Sequence, residues 1–202
     1  MVGPTRRSSV PENEVLKAIR ERRSILRFEQ KPVPEEQVQA ILEAGRWAPS
    51  FANSQPWEFI VVREEGLLAE LNSLVQRIAI AKRGKVAISK AGLGEAPLAI
   101  VIVVDPWKDP QHYVEAGTAA AQNMALAAHS LGLASYWAGV YSPRGGRGTP
   151  EARIKKLLGI PEEHRVIAVL PVGFPAYKDQ SERKELAELV HYDRYGGKEG
   201  QR

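Results

Sequence analysis

The sequence predicts one α+β domain, a sheet of about four or five strands covered by helices, and three observations carry that reading. Residues 98–104 and 166–172 are unbroken apolar runs of strand length, the pattern of strands buried on both faces. Several other segments place apolar residues at helical spacing. The two kinds of segment alternate only loosely over 202 residues, with no internal repeat and no domain-separating linker, so one core suffices. The folded domain is expected over 11–196. A disordered tail over 1–10, where Gly3, Pro4, Ser8 and Ser9 offer no periodicity, precedes it, and a flexible end over 197–202 follows.

The first helix opens at Pro11, with Glu12 and Glu14 near the positive end of its dipole and Val15, Leu16, Ala18 and Ile19 as an apolar stripe ending near Arg22. A second helix opens at Pro34-Glu35-Glu36, buries Val38, Ile41 and Leu42, and closes at Gly45 and Pro49. The passage 46–62 then sets two Trp, two Pro and a cluster of amide and hydroxyl side chains between a helix pattern and a strand over 57–62. If Trp47 and Trp57 are both buried, Ser50, Asn53, Ser54 and Gln55 must bond to backbone or to a ligand. Residues 66–82 read as a helix with Leu67, Leu68, Leu71, Val75 and Ile78 inward. Gly92-Leu93-Gly94 precedes a strand instead of following one, so it is not a dinucleotide fingerprint. Asp109-Pro110 cap a helix that runs to Leu131 and is built almost wholly of small and apolar residues. Such a helix is either the hub of the core or the centre of a subunit interface, and the size of the chain favours the interface. Residues 134–141 are extended and 142–148 form a mobile loop. Thr149-Pro150 start a short helix ended by Gly159 and Pro161. Residues 178–189 are too polar to hold themselves together and are expected to lie as an arm across a partner.

Composition removes whole classes of chemistry. The absence of Cys excludes disulfides, thiolate metal sites, iron–sulfur clusters and Cys nucleophiles. There is no Gly-x-Ser-x-Gly, and His112, His129, His164 and His191 are scattered, which argues against a hydrolase triad and a metal site. The 28 Lys and Arg exceed the 24 Asp and Glu only mildly, to a net +4, and the charges alternate along helices; no nucleic-acid partner is expected. No apolar run is long enough to span a membrane and the N-terminus lacks the hydrophobic stretch of a secretory signal, so no membrane association and a cytoplasmic location are expected. Without protein nucleophile, thiol or metal, the chemistry either belongs to an organic cofactor or is absent.

Arg22, Ser24, Arg27, Arg183 and Lys184 offer cations and a hydroxyl to a phosphate, although ordinary surface arginines read the same on composition alone. Asn53 and Gln55 have the paired donors and acceptors to read a planar heterocycle, or to satisfy their own loop.

A succession of motifs narrows the choice: Arg22-Arg23-Ser24-Ile25-Leu26-Arg27-Phe28, Pro32-Val33-Pro34-Glu35, Ala44-Gly45-Arg46-Trp47-Ala48-Pro49-Ser50, Asn53-Ser54-Gln55-Pro56-Trp57-Glu58-Phe59, Gly132-Leu133, Leu157-Leu158-Gly159-Ile160-Pro161, Gly173-Phe174-Pro175 and Val190-His191-Tyr192-Asp193-Arg194-Tyr195-Gly196. In this order they resemble the FMN-dependent nitroreductase family over nearly the whole chain. The resemblance implies a three-layer α-β-α arrangement around a mixed, mainly antiparallel sheet, with a C-terminal arm crossing to the partner of a homodimer. It implies two FMN molecules at the interface. Arg22 and Ser24, with Arg23 between them, would contact the flavin and phosphate from one subunit, with Arg183 near the phosphate. Pro49, Ser50, Phe51, Asn53 and Gln55 would approach the ring from the other subunit, and the backbone around Ala138 and Gly139 would face the flavin N5. The chain departs from the family where Leu26 stands in place of a frequent basic residue, where Phe51 occupies a usually small position, and where Glu185 replaces a common Pro. A further flavin contact is expected from 83–90 without an assigned residue.

The activity so implied is that of an NAD(P)H oxidoreductase using NADH or NADPH to reduce nitroaromatics, quinones or similar electron-poor small molecules, with the cofactor and no protein side chain carrying the electrons. Two alternatives stay open on the same fold: another flavin reaction, such as reductive dehalogenation, peptide oxidation or flavin cleavage, and a flavin-binding or storage protein without turnover.

Overall fold

The computed structural model describes residues 11–75, 79–82, 85–88 and 92–198. The expected tail over 1–10, most of the expected flexible end, and Ile78 lie outside the described residues. Of the segment 83–90 only the strand Lys85–Ile88 is described.

Five strands make the main sheet. β1 (Trp57–Val62) is antiparallel to β4 (Leu98–Val104), with Trp57 opposite Val104 and Val62 opposite Ala99. β4 is antiparallel to β7 (Arg165–Gly173), and β7 in turn pairs with two short strands, β5 (Ala134–Ser135) and β6 (Ala138–Gly139). Every residue of β4 is buried, which is why its sequence does not alternate. Its faces do: Leu98, Ile100, Ile102 and Val104 enter one core, while Ala99, Val101 and Val103 enter another. A register shift between Ile102 and Val103 makes Ile167 an extra residue on β7. Both Ile167 and Ala168 therefore face the first core, between Val166 and Val169 of the second, as a bulge requires.

The helices supply the outer layers. α2 (Glu35–Arg46) and α4 (Tyr113–Ser130) cover the first face, and α3 (Glu65–Val75) and α5 (Pro150–Leu158) cover the second. α4 buries Ala116, Gly117, Ala120, Ala121, Met124, Ala125 and Ala128. It is the hub of this chain's own core, so no partner is needed to hide those residues. Its small side chains let the sheet approach: a Cβ on Gly117 would stand 2.6 Å from Ile167 Cγ1 and 2.9 Å from Val104 Cγ1. Gly45 does the same for α2. A Cβ there would collide with Met124 and stand 3.2 Å from Phe59 Cζ, so Gly45 is a packing residue inside the helix and not the stop signal expected.

Other boundaries also move. α1 is Glu14–Glu21, because Asn13, whose side chain accepts from Leu16 N at 2.9 Å, is the cap instead of Pro11. α4 begins at Tyr113, and Asp109 caps the turn before it by accepting from His112 N. The expected helix over 66–82 stops at Val75; β2 (Ala79–Lys82) pairs antiparallel with β3 (Lys85–Ile88). Pairing Lys82 with Lys85 leaves two residues between the strands, the second a glycine, a hairpin signal that the helical spacing of the preceding leucines masks. Beyond Pro175 the chain is mostly exposed, with a single 3-10 turn at Leu186–Glu188.

Candidate functional site

A cavity of about 960 Å³ opens where α1 ends. The chain leaves α1 at Arg22, and Ser24 forms a parallel bridge with Ser135 on β5. The walls are Arg22 and Arg23 on one side, Ala125 and His129 of α4, residues 132–135, and Pro175, Tyr177 and Ser181 of the returning chain. Tyr177 ties that return to the basic segment, its hydroxyl accepting from Leu26 N at 3.1 Å.

The cavity wall carries both signs, Arg20, Arg22, Arg23 and Lys178 against Glu21, Asp179 and Glu182, and the cations gather with unpaired donors where α1 ends. Arg23 spends Nη1 on the carbonyls of Arg20 and Arg22 at 2.6 and 2.8 Å, while its Nε is buried without a partner. The hydroxyl of Ser135 is likewise buried and unpartnered. Buried polar groups are nearly always satisfied, so two orphans lining one cavity ask for a ligand with acceptors. Burial, followed by the charges of Arg23 and Arg183, pushes the Arg22 guanidinium below its usual pKa. An anion among these groups would relieve their repulsion. Glu21 Oε2 stands 4.0 Å from His129 Nε2 at the rim. Arg183 itself is exposed and held by Ser181 Oγ at 2.8 Å. A phosphate-bearing cofactor fits this donor set.

Of the predicted phosphate residues Arg22 and Arg23 line the cavity, whereas Ser24 and Arg183 lie outside its wall, Arg183 near enough for its charge to act on Arg22; β7 sets the other features in line with them. Ser135 is opposite Val172, Ala138 opposite Val169 and Gly139 opposite Ala168. Gly139 is exposed beside the half-exposed Trp137, whose Nε1 would lie 3.1 Å from a Cβ at Gly139. Arg27 turns its guanidinium over the Tyr177 ring at 5.5 Å and stays outside the cavity wall, as Leu26 does.

The passage 47–56 forms a second cluster elsewhere. Trp57 is buried but Trp47 is 72% exposed, so the condition that both be buried is met by one only. Ser50 Oγ accepts from Gln55 N at 3.0 Å, Gln55 Nε2 donates to Asn53 O at 3.3 Å, and Ser54 Oγ donates to the buried Asp109 at 3.3 Å. Ala52, Asn53 and Gln55 all adopt positive φ, 48°, 55° and 47°. Such conformations cost about 1–3 kcal/mol each and gather at functional sites. Pro49 and Phe51 are exposed, and Phe51 is tilted against His112 with centroids 5.0 Å apart. His112 and the cavity residues Ala125 and His129 are 13 and 17 positions apart along α4, about 20 and 25 Å at the helical rise. Phe51 and Ser54 are thus anchored at the entry of α4, by His112 and Asp109, whereas Ala125 and His129 of the cavity lie in its last turns.

Ser135, His129 and Tyr177 were not foreseen. Nothing in Ala134-Ser135-Tyr136 marks that serine in the sequence; strand pairing puts it there.

Comparison with known proteins agrees with this architecture. The profile of the nitroreductase family matches residues 19–174. A protein of Methanothermobacter thermautotrophicus, provisionally named an NADH dehydrogenase/NAD(P)H nitroreductase, is 37% identical over 169 residues, covering 83% of this chain and 80% of the relative. The structure of an FMN-dependent nitroreductase from Clostridium difficile R20291 superposes with a TM-score of 0.76 at 27% identity, over 89% of this chain and 99% of the other. An iodotyrosine deiodinase from Nematostella vectensis is 27% identical over 88% of this chain and 74% of its own length. The chain belongs to the nitroreductase family.

Proposed function

We propose that the protein is an FMN-dependent NAD(P)H oxidoreductase that reduces electron-poor small molecules such as nitroaromatics and quinones. The observation that carries the proposal is the cavity in which Arg23 Nε and Ser135 Oγ are buried without partners beside Arg22. Arg22, Arg23, Ser24 and Arg183 would hold the phosphate, Ala138 and Gly139 would flank the ring, and Ser135 would donate to the cofactor. When bound, FMN supplies the means to accept a hydride from a reduced nicotinamide and pass electrons to a second substrate. The chain's part is to orient the rings, exclude water and place cations where negative charge develops. No catalytic side chain is assigned.

The site is proposed to be completed by a second copy, whose Pro49, Ser50, Phe51, Asn53 and Gln55 reach the ring. The arm beyond Pro175 would cross to that copy. Two observations favour a homodimer: the strained loop is anchored at the entry of α4 while the cavity lies at the other end of that helix, and α1 exposes Val15 (65%) and Ile19 (51%) while the arm exposes Leu186 and Leu189, an apolar surface of the kind partners cover. Among the described residues no helix is long and apolar enough to cross a membrane.

The test is direct. Purified protein should be yellow, release FMN on denaturation, and bleach anaerobically when NADH or NADPH is added, with colour returning when a nitroaromatic or quinone follows. A flavin that neither nucleotide bleaches would reduce the protein to a flavin-binding one. Turnover of halogenated phenols without turnover of nitroaromatics would shift the reaction toward that of the deiodinase relative.

A further inference from the structure

The chain leaving β6 enters a loop that the cavity chemistry does not use. Ser142 is held from two sides: its N–H donates to Glu151 Oε2 at 2.9 Å and its carbonyl accepts from Arg165 Nη2 at 2.6 Å. Glu151 is 3% exposed and takes four bonds, from Arg165 Nε and Nη2 and from the N–H groups of Ser142 and Val166. From this anchor the loop closes on itself, Gly145 N donating to Ser142 O at 2.9 Å and Thr149 N to Gly146 O at 3.1 Å. Thr149 then caps α5.

On this fixed stem stand Arg144 and Arg147. Both are exposed. Glu151 is the one carboxylate between 142 and 158, and its charge is already consumed by Arg165. Among the described residues neither arginine takes part in an ion pair or a side-chain hydrogen bond. A Cβ built on Gly145 or Gly148 meets nothing within 4 Å, so the chain leaves this loop uncovered.

We propose that Arg144 and Arg147 bind the 2′-phosphate of the electron donor, so that the protein takes NADPH in preference to NADH; this rests on the oxidoreductase reading above. β7 supplies the measure. Ser135, on the cavity, pairs with Val172, Ala138 and Gly139 pair with Val169 and Ala168, and Arg165, seven positions before Val172, grips the loop. Seven strand residues span roughly 23 Å, of which the three from Ala168 to Arg165 make up roughly 10 Å. The anionic end of the cofactor claims the arginines at one end of this line. A dinucleotide whose nicotinamide lies at the middle needs cations for its own anionic end, and the other end offers two. Arginine matches a phosphate dianion in a bidentate fork. A donor without the 2′-phosphate leaves both guanidinium groups hydrated, as they already are, so discrimination arises from the ion pairs that NADPH alone can form.

The experiment uses the FMN-loaded protein and two fragments that cannot reduce it, 2′,5′-ADP and 5′-ADP, titrated by calorimetry. The first should bind tighter by roughly tenfold or more. In steady state, the ratio of kcat/KM for NADPH over NADH should fall by roughly ten- to a hundredfold in Arg144→Ala/Arg147→Ala, mainly through KM for NADPH, and added salt should erode the wild-type preference. Equal binding of the two fragments, or an unchanged ratio in the double variant, overturns the proposal and leaves the oxidoreductase reading standing. Protein whose FMN neither nucleotide reduces sinks both.

Discussion

Ser135 and Tyr136 are neighbours buried with opposite consequences. The Ser135 hydroxyl has no partner in the chain alone, and an unsatisfied buried group costs about 1–3 kcal/mol. Ser135→Ala should therefore leave the cofactor-free protein as stable as wild type or slightly more so, while weakening FMN by up to about tenfold. Melting with and without FMN separates the two effects; an equal FMN-induced shift in both proteins would remove Ser135 from the site. For Tyr136, burial raises the phenol to about 12, whereas an unfolded tyrosine titrates near 10, roughly. The neutral form that folding prefers is fully populated in both states below the unfolded pKa. Stability is then lost as pH rises from the unfolded value through the folded one, because the unfolded chain ionises first. Urea titrations should show an alkaline decline over that window that is smaller in Tyr136→Phe. At this scale the shared place of Arg22 and Arg23 on one cavity wall was legible because they are adjacent, but that of Ser135 was not, since only the pairing of β5 with β7 carries it there.

Elements were legible where one force dominates. Unbroken apolar runs became β4 and β7, and Thr149-Pro150 with Gly159 bounded α5 as expected, since caps act locally. Asp109 misled because its carboxylate bonds both to His112 N and to Ser54 Oγ, tying the strained loop to the entry of α4, a tertiary use that a capping pattern does not distinguish. The small-residue helix pointed to close packing, but the chain's size argued wrongly for a subunit interface: what it packs against is the chain's own sheet. Gly117 tests this. In isolation Gly→Ala should stabilise a helix by about 1 kcal/mol, yet here the new methyl meets Ile167 and Val104 across a packed layer. Gly117→Ala should instead destabilise by about 1–3 kcal/mol in urea unfolding; a gain would mean that the sheet yields and that the contact is not tight.

For the whole molecule the question is whether two clusters at opposite ends of α4, a helix run of about 20–25 Å, serve one cofactor, as proposed above. The family resemblance implies two contributing subunits, and the loop and the cavity of one chain stand toward opposite ends of α4. If the arginine cavity of one chain works with the strained loop of another, damage to each should complement. Arg22→Ala/Arg23→Ala disables the cavity and Ser50→Ala/Asn53→Ala disables the loop. Each homodimer should bind FMN weakly at both sites. Differently tagged variants, refolded together and isolated as heterodimers, contain one site with both lesions and one with neither, so they should bind one FMN per dimer at wild-type affinity, read by fluorescence quenching and by sedimentation. A site confined to one chain gives the opposite result, because every site in the mixed dimer then keeps one lesion and none recovers. A monomer in sedimentation would rule out the shared site before any mixing.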